Sequence, residues 1–201
     1  KFPNLMDTVY GFFYQSWKES SARVLGGESQ DEFYNSVYKY LKNFLFSIVL
    51  GMIAFMPIVF RILINKNYYS AIYYVPILLL ATYFANISGI YGGIFTAYKD
   101  TKIMGTTTVV AAIINLGVII AMIRIFGIYA AAISTLVANF TVYIYRRIKV
   151  GKYIKLKENW KKRTVAVIVC VLIFVVFYVQ NTISIVIGCI VSIMYALIAN
   201  Y

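Results

Sequence analysis

The feature that most constrains this chain is a series of apolar runs, each about as long as a bilayer is thick. They fall at 43–64, 72–97, 104–124, 127–148, 163–180 and 182–201, preceded by a more polar helical stretch at 3–24. A bilayer core is crossed by about 20 apolar residues at 1.5 Å rise each. Composition excludes water as the solvent for such a series: 62% of residues are hydrophobic and 13% charged, with a mean hydropathy of +0.78. Soluble domains carry about 25% charged residues, and this chain has too few polar groups to coat its apolar surface. Lipid resolves the imbalance, and helices satisfy their own backbone polar groups there. The fold class is therefore all-α, a polytopic transmembrane helical bundle.

Charge then orients the bundle. The net charge of +12 comes from 19 Lys and Arg against 7 Asp and Glu. In a soluble protein such an excess suggests nucleic acid. Here the cations lie between apolar runs, which points to topology and anionic lipids and to no nucleic acid. The densest segment holds Arg146, Arg147, Lys149, Lys152, Lys155, Lys157, Lys161, Lys162 and Arg163 against Glu158 alone. The positive-inside rule puts the loop 149–162 in the cytoplasm. Alternation then places 65–70 and 126–127 outside, and 20–42 and 99–102 inside. The chain divides into a five-helix part at 1–148, the basic loop, and a two-helix hairpin at 163–201 turning at Gln180-Asn181-Thr182. The opening Lys1-Phe2-Pro3, without Met and already near a helix start, reads as part of a longer polypeptide.

Several residues inside the runs predict packing. Gly89 and Gly93 form a GxxxG pair; Ala130, Ser134 and Ala138, and likewise Ser184, Gly188 and Ser192, repeat small side chains every four residues. This spacing lets helices approach closely in lipid. Pro57 predicts a kink, because it removes a backbone hydrogen bond. Asn86, Ser88, Asn115 and Asn139 fall singly in apolar helices, where each needs a partner or water. Interhelical hydrogen bonds, worth about 0.6 kcal/mol on average, are the plainer reading for each Asn. Cys170 and Cys189 lie in apolar runs as packing residues, with no metal or disulfide pattern.

The first helix differs from the others. Asp7, Gln15, Ser16, Lys18, Glu19, Ser20 and Arg23 interrupt Phe12, Phe13, Tyr14 and Trp17. Gln15, Lys18 and Glu19 share a face by their spacing of three and four. Such a helix either lies at the interface or lines a water-filled cavity. Catalysis is poorly provided for: the chain has no His, and paired carboxylates, a P-loop and HExxH are all absent from it. The sequence thus implies neither an enzyme nor a cofactor.

The order of features from the third helix onward resembles the polysaccharide (oligosaccharide) flippases, of lipid-linked O-antigen type, in the multidrug/oligosaccharidyl-lipid/polysaccharide exporter superfamily. The matching stretches are Tyr68-Tyr69-Ser70-Ala71 leading to Tyr74-Val75-Pro76-Ile77-Leu78-Leu79-Leu80-Ala81, then Gly92-Gly93-Ile94-Phe95-Thr96-Ala97-Tyr98-Lys99-Asp100-Thr101-Lys102. Ala111-Ala112-Ile113-Ile114-Asn115-Leu116 and Phe126-Gly127-Ile128-Tyr129-Ala130-Ala131-Ala132-Ile133-Ser134-Thr135 follow in order. Phe13-Tyr14-Gln15-Ser16-Trp17-Lys18-Glu19-Ser20 is similar to the cytoplasmic end of an earlier helix in these proteins.

The resemblance implies a C-terminal lobe of a two-lobe exporter plus a terminal helical hairpin, with the N-terminal lobe missing. It also implies a bacterial inner-membrane location and a polyprenyl-diphosphate-linked oligosaccharide as substrate, flipped by alternating access. The substrate-cavity candidates are then Gln15, Lys18, Glu19, Arg23, Asn86 and Asn115, with Lys18, Arg23 and Arg61 as the cations nearest a diphosphate. A multidrug/cation antiporter of the same superfamily is the near alternative. It needs buried acids, and Asp7 is the main one offered. A membrane glycosyltransferase would need acidic or His residues in external loops, and a non-transporting subunit of a polysaccharide assembly complex is the remaining alternative.

Overall fold

The computed structural model describes residues 2–200; Lys1 and Tyr201, the ends of the first and last expected segments, lie outside the described residues. Seven α-helices follow one another: α1 Phe2–Val24, α2 Gln30–Leu63, α3 Val75–Ala97, α4 Lys102–Phe126, α5 Tyr129–Val150, α6 Trp160–Val179 and α7 Thr182–Asn200. A short 3-10 helix, Lys66–Tyr73, links α2 to α3. The protein is a polytopic helical bundle, and α2, α3, α4, α6 and α7 are each long and apolar enough to cross a membrane. The more polar α1 and α5 are the other two helices.

The largest difference from the sequence expectation is the start of α2. The sequence predicts a helix from residue 43, because 30–42 carries Gln30, Asp31, Glu32, Asn35, Lys39 and Lys42. The helix begins at Gln30. Tyr34, Tyr38, Leu41 and Leu45, spaced by four, three and four, are all buried, so this stretch is an amphipathic extension of the apolar span. Its 34 residues extend about 50 Å, well beyond a hydrocarbon core of about 30 Å. Pro57 lies within this helix without ending it.

The links are short and chemically specified. Gly26, at φ 81°, and Gly127, at φ 52°, make the turns before α2 and α5 in a region that favours glycine. Asn159 caps α6, its side chain accepting from the backbone N–H groups of Lys161 and Lys162. The helix starts at Trp160, so the non-helical part of the basic segment is shorter than 149–162.

Packing centres on α3. It lies against α5, α1 and α2, while α4 packs mainly on α5, and α7 packs on α2 beside α6. Ala130, Ser134 and Ala138 are buried, as their spacing predicts. Gly188 sits in the α7 packing zone, where a Cβ would lie 3.3 Å from Val176 Cγ1 and 3.9 Å from Ala54 Cβ. Gly89 and Gly93 serve a different purpose from the expected backbone approach: they receive the Tyr10 and Trp17 rings of α1, and a Cβ at either would collide with those side chains. The Trp17 indole N–H donates to the Ile90 carbonyl at 3.0 Å, which fixes α1 on α3.

Candidate functional site

α1 presents two faces. Met6, Tyr10, Trp17 and Ser21 are buried against the bundle, while Gln15, Lys18, Glu19 and Arg23 are all exposed. Arg23 pairs with Glu19 one turn earlier at 3.8 Å. The Lys18 ammonium lies over the Tyr14 ring, 5.5 Å from its centroid. Four of the sequence candidates therefore form one polar face, turned away from the rest of the described chain. Arg61 does not join them. It is exposed in the last turn of α2, at the end where Phe60 meets Phe2, while Lys18 and Arg23 lie toward the opposite end of α1.

The two asparagine candidates sit elsewhere. Asn86 is buried in α3 at 5% exposure, and the Asp7 carboxyl approaches its side chain. Apart from that carboxyl, Nδ2 has no hydrogen-bond partner among the described residues. Asn115 is half-buried in α4 and donates to Thr135 Oγ1 of α5 at 3.4 Å. Asn139 donates to the Ala81 carbonyl at 3.1 Å, an interhelical bond of the kind expected in a membrane bundle.

A residue that the sequence groups with the cations at the edge of the basic loop is the most buried cation among the described residues. Arg146, in α5, is 7% exposed. Its Nε and Nη2 donate to Thr107 Oγ1 of α4 at 2.9 and 2.7 Å, and Nη1 donates to the Ser88 carbonyl of α3 at 3.2 Å. No carboxylate pairs with it among the described residues. The nearest titratable neighbours are Tyr14 and Tyr10 of α1, and the Tyr10 hydroxyl is itself buried without a partner. The signal for Arg146 lay in the small-residue ladder. Steps of four from Ala130 through Ser134, Ala138 and Val142 arrive at Arg146 and Val150, all buried.

The cationic loop is organised by its lone acid. Glu158 Oε1 accepts from the Tyr38 hydroxyl at 2.9 Å and lies 3.5 Å from Arg147 Nε and 3.7 Å from Lys42 Nζ. Oε2 lies 3.3 Å from Arg163 Nη1. Tyr91, deeper in α3, donates to the Tyr38 hydroxyl at 3.0 Å. Burial alone pushes the Glu158 carboxyl up, but Lys42, the Tyr38 hydroxyl, Arg147 and Arg163 outweigh it and hold it below the usual range. One side chain thereby joins α2, α5 and α6. Asn35 adds a strap across the same loop, donating to the Lys155 carbonyl and accepting from the Lys157 N–H at 3.1 and 2.6 Å.

Comparison with protein-family models and with curated proteins finds no match. Among solved structures, the chain is similar to "Lipid II flippase MurJ, inward closed conformation", with a TM-score of 0.68 and 17% sequence identity. The match covers 94% of this chain and 43% of that one, so the chain spans less than half the length of the protein whose fold it shares.

Proposed function

We propose that this chain is the C-terminal part of a two-lobe exporter that flips a polyprenyl-diphosphate-linked oligosaccharide across a bacterial inner membrane by alternating access. The observation that carries the reading is the fold shared with a lipid II flippase over 94% of the chain. The exposed face of α1 adds chemistry to it. Gln15, Lys18, Glu19 and Arg23 form an exposed polar strip along the C-terminal part of α1, and ionisable side chains turned away from lipid serve a substrate path or a water-filled cavity. The missing lobe would lie across this face, making the strip one wall of the cavity. Lys18 and Arg23 would meet the diphosphate through charge-assisted hydrogen bonds. The loop 149–162 would lie in the cytoplasm, its lysines facing anionic lipid headgroups.

Translocation of a lipid-linked oligosaccharide by the intact protein in liposomes tests this. Lys18→Ala and Arg23→Ala should each slow flipping by about tenfold, equivalent to about 1.4 kcal/mol of barrier. Unchanged rates in both variants would overturn the assignment of this face to the cavity.

A further inference from the structure

α1 packs on α3 and α4 on α5, with no extended contact between α1 and α4. Arg146 of α5 meets Thr107 of α4 and has Tyr10 and Tyr14 of α1 close by, so α1 and α4 flank one side of the α3–α5 pair and border a trough over it. At one end it is closed, because Met104 of α4 and Tyr14 of α1 meet above Gly92: a Cβ there would lie 2.7 Å from Met104 Cε and 3.5 Å from the Tyr14 hydroxyl. Asp7, Gly11 and Tyr14, spaced by four and three, form the stripe of α1 that borders it. Thr108, one turn beyond Met104, is exposed on α4.

The polar groups beside this trough share one chemistry. The Arg146 guanidinium has five N–H donors and uses three, all on neutral acceptors. The Tyr10 hydroxyl is buried without a partner on a side chain 8% exposed, whereas the Asn86 amide has the Asp7 carboxyl beside it. Asp7 faces Asn86, one turn of α1 away from Tyr10, and makes no ion pair with Arg146. A buried cation without a countercharge is costly, and in lipid it is paired or faces water. An unfilled hydroxyl beside an unpaired guanidinium calls for an anionic acceptor.

We propose that a further helix of the same polypeptide lies in this trough and carries an Asp or Glu whose carboxylate pairs with Arg146. The occupant follows from the fold: the chain spans 43% of its structural neighbour, so more than half of a molecule of that architecture lies outside it. This assignment rests on the two-lobe part of the proposed function and is independent of what is transported.

The test uses the intact polypeptide with Cys170→Ala and Cys189→Ala. Gly11→Cys and Thr108→Cys should resist a maleimide that readily modifies Lys39→Cys on the exposed side of α2; free labelling of both trough positions would overturn the proposal. Thermal unfolding then identifies the carboxylate. Arg146→Met should lower the midpoint, one Asp→Asn or Glu→Gln change elsewhere in the polypeptide should lower it similarly, and the double variant should fall no further than either single. Effects that add for every acid would overturn the pairing. Loss of flipping with coupling intact, or coupling lost with flipping intact, separates this proposal from the transport reading.

Discussion

At the scale of single residues, the bundle places its most expensive group where three helices meet. Arg146 holds α4 to α3 and α5 through Thr107 and Ser88, and Thr107 is the buried residue of α4. Removing the acceptor while keeping the cation is therefore the damaging change. Thr107→Val should destabilise the intact protein by about 3 kcal/mol, because a buried charged donor is left unsatisfied. Thr107→Ser keeps the oxygen and should cost under about 1 kcal/mol. Unfolding midpoints in one detergent, compared across the two variants, check the difference. Equal losses would show that methyl packing, and not the hydrogen bond, matters there. Arg146 also marks the limit of reading by composition. Its neighbours Arg147 and Lys149 are loop-edge cations, and only the four-residue ladder along α5 distinguishes it from them.

At the scale of elements, Glu158 joins the α6–α7 hairpin to α2 and α5. The folded state holds this carboxyl below its ordinary value of 4.5. Its ion pairs are thus fully present above that pH and are lost as pH falls through the lowered folded-state pKa. Glu158→Gln should cost about 2 kcal/mol, since hydrogen bonds to charged groups disappear and three cations are left facing one another. Hydrogen exchange across 151–165 should rise in that variant at neutral pH. In the unaltered protein it should rise only on strong acidification, with the variant insensitive to the same change; a wild-type profile flat to acid would refute the latch. Helix positions were legible in the sequence because each apolar run has the length of a span. The start of α2 was not, since its buried residues are Tyr34 and Tyr38 among charges, and hydropathy registers the charges more strongly than the spacing. The GxxxG pair was legible as a packing site, but its partner was not: Gly89 and Gly93 admit the rings of Tyr10 and Trp17 from a helix far earlier in the chain, a contact with no local signature. Of the cavity candidates, spacing correctly put Gln15, Lys18 and Glu19 on one face. It could not show that Arg61 lies at the other end of the helix pair, because that depends on how α1 and α2 pack.

At the scale of the whole molecule, orientation hinges on α5. Neither α1 nor α5 is apolar enough to qualify as a span alone, yet α5 packs extensively on both α3 and α4. Its polar groups are occupied by neighbours: Thr135 accepts from Asn115, Asn139 reaches Ala81, and Arg146 reaches Thr107 and Ser88. Low hydropathy there reflects burial among helices, where a side chain meets protein and not lipid, so α5 should cross the membrane with its neighbours. Tyr68 and Lys155 are then separated by three crossings, α3, α4 and α5, and must lie on opposite sides. With the native cysteines replaced, Tyr68→Cys should react with a membrane-impermeant maleimide in intact cells, since Tyr68 is 70% exposed beyond the end of α2. Lys155→Cys should react only in inverted vesicles, where the cytoplasmic face is presented. Exchange of the two patterns would reverse the orientation while leaving the bundle intact. Reaction of both from one side would mean that α5 does not cross, which is incompatible with the hydrogen bonds it makes along its length to α3 and α4.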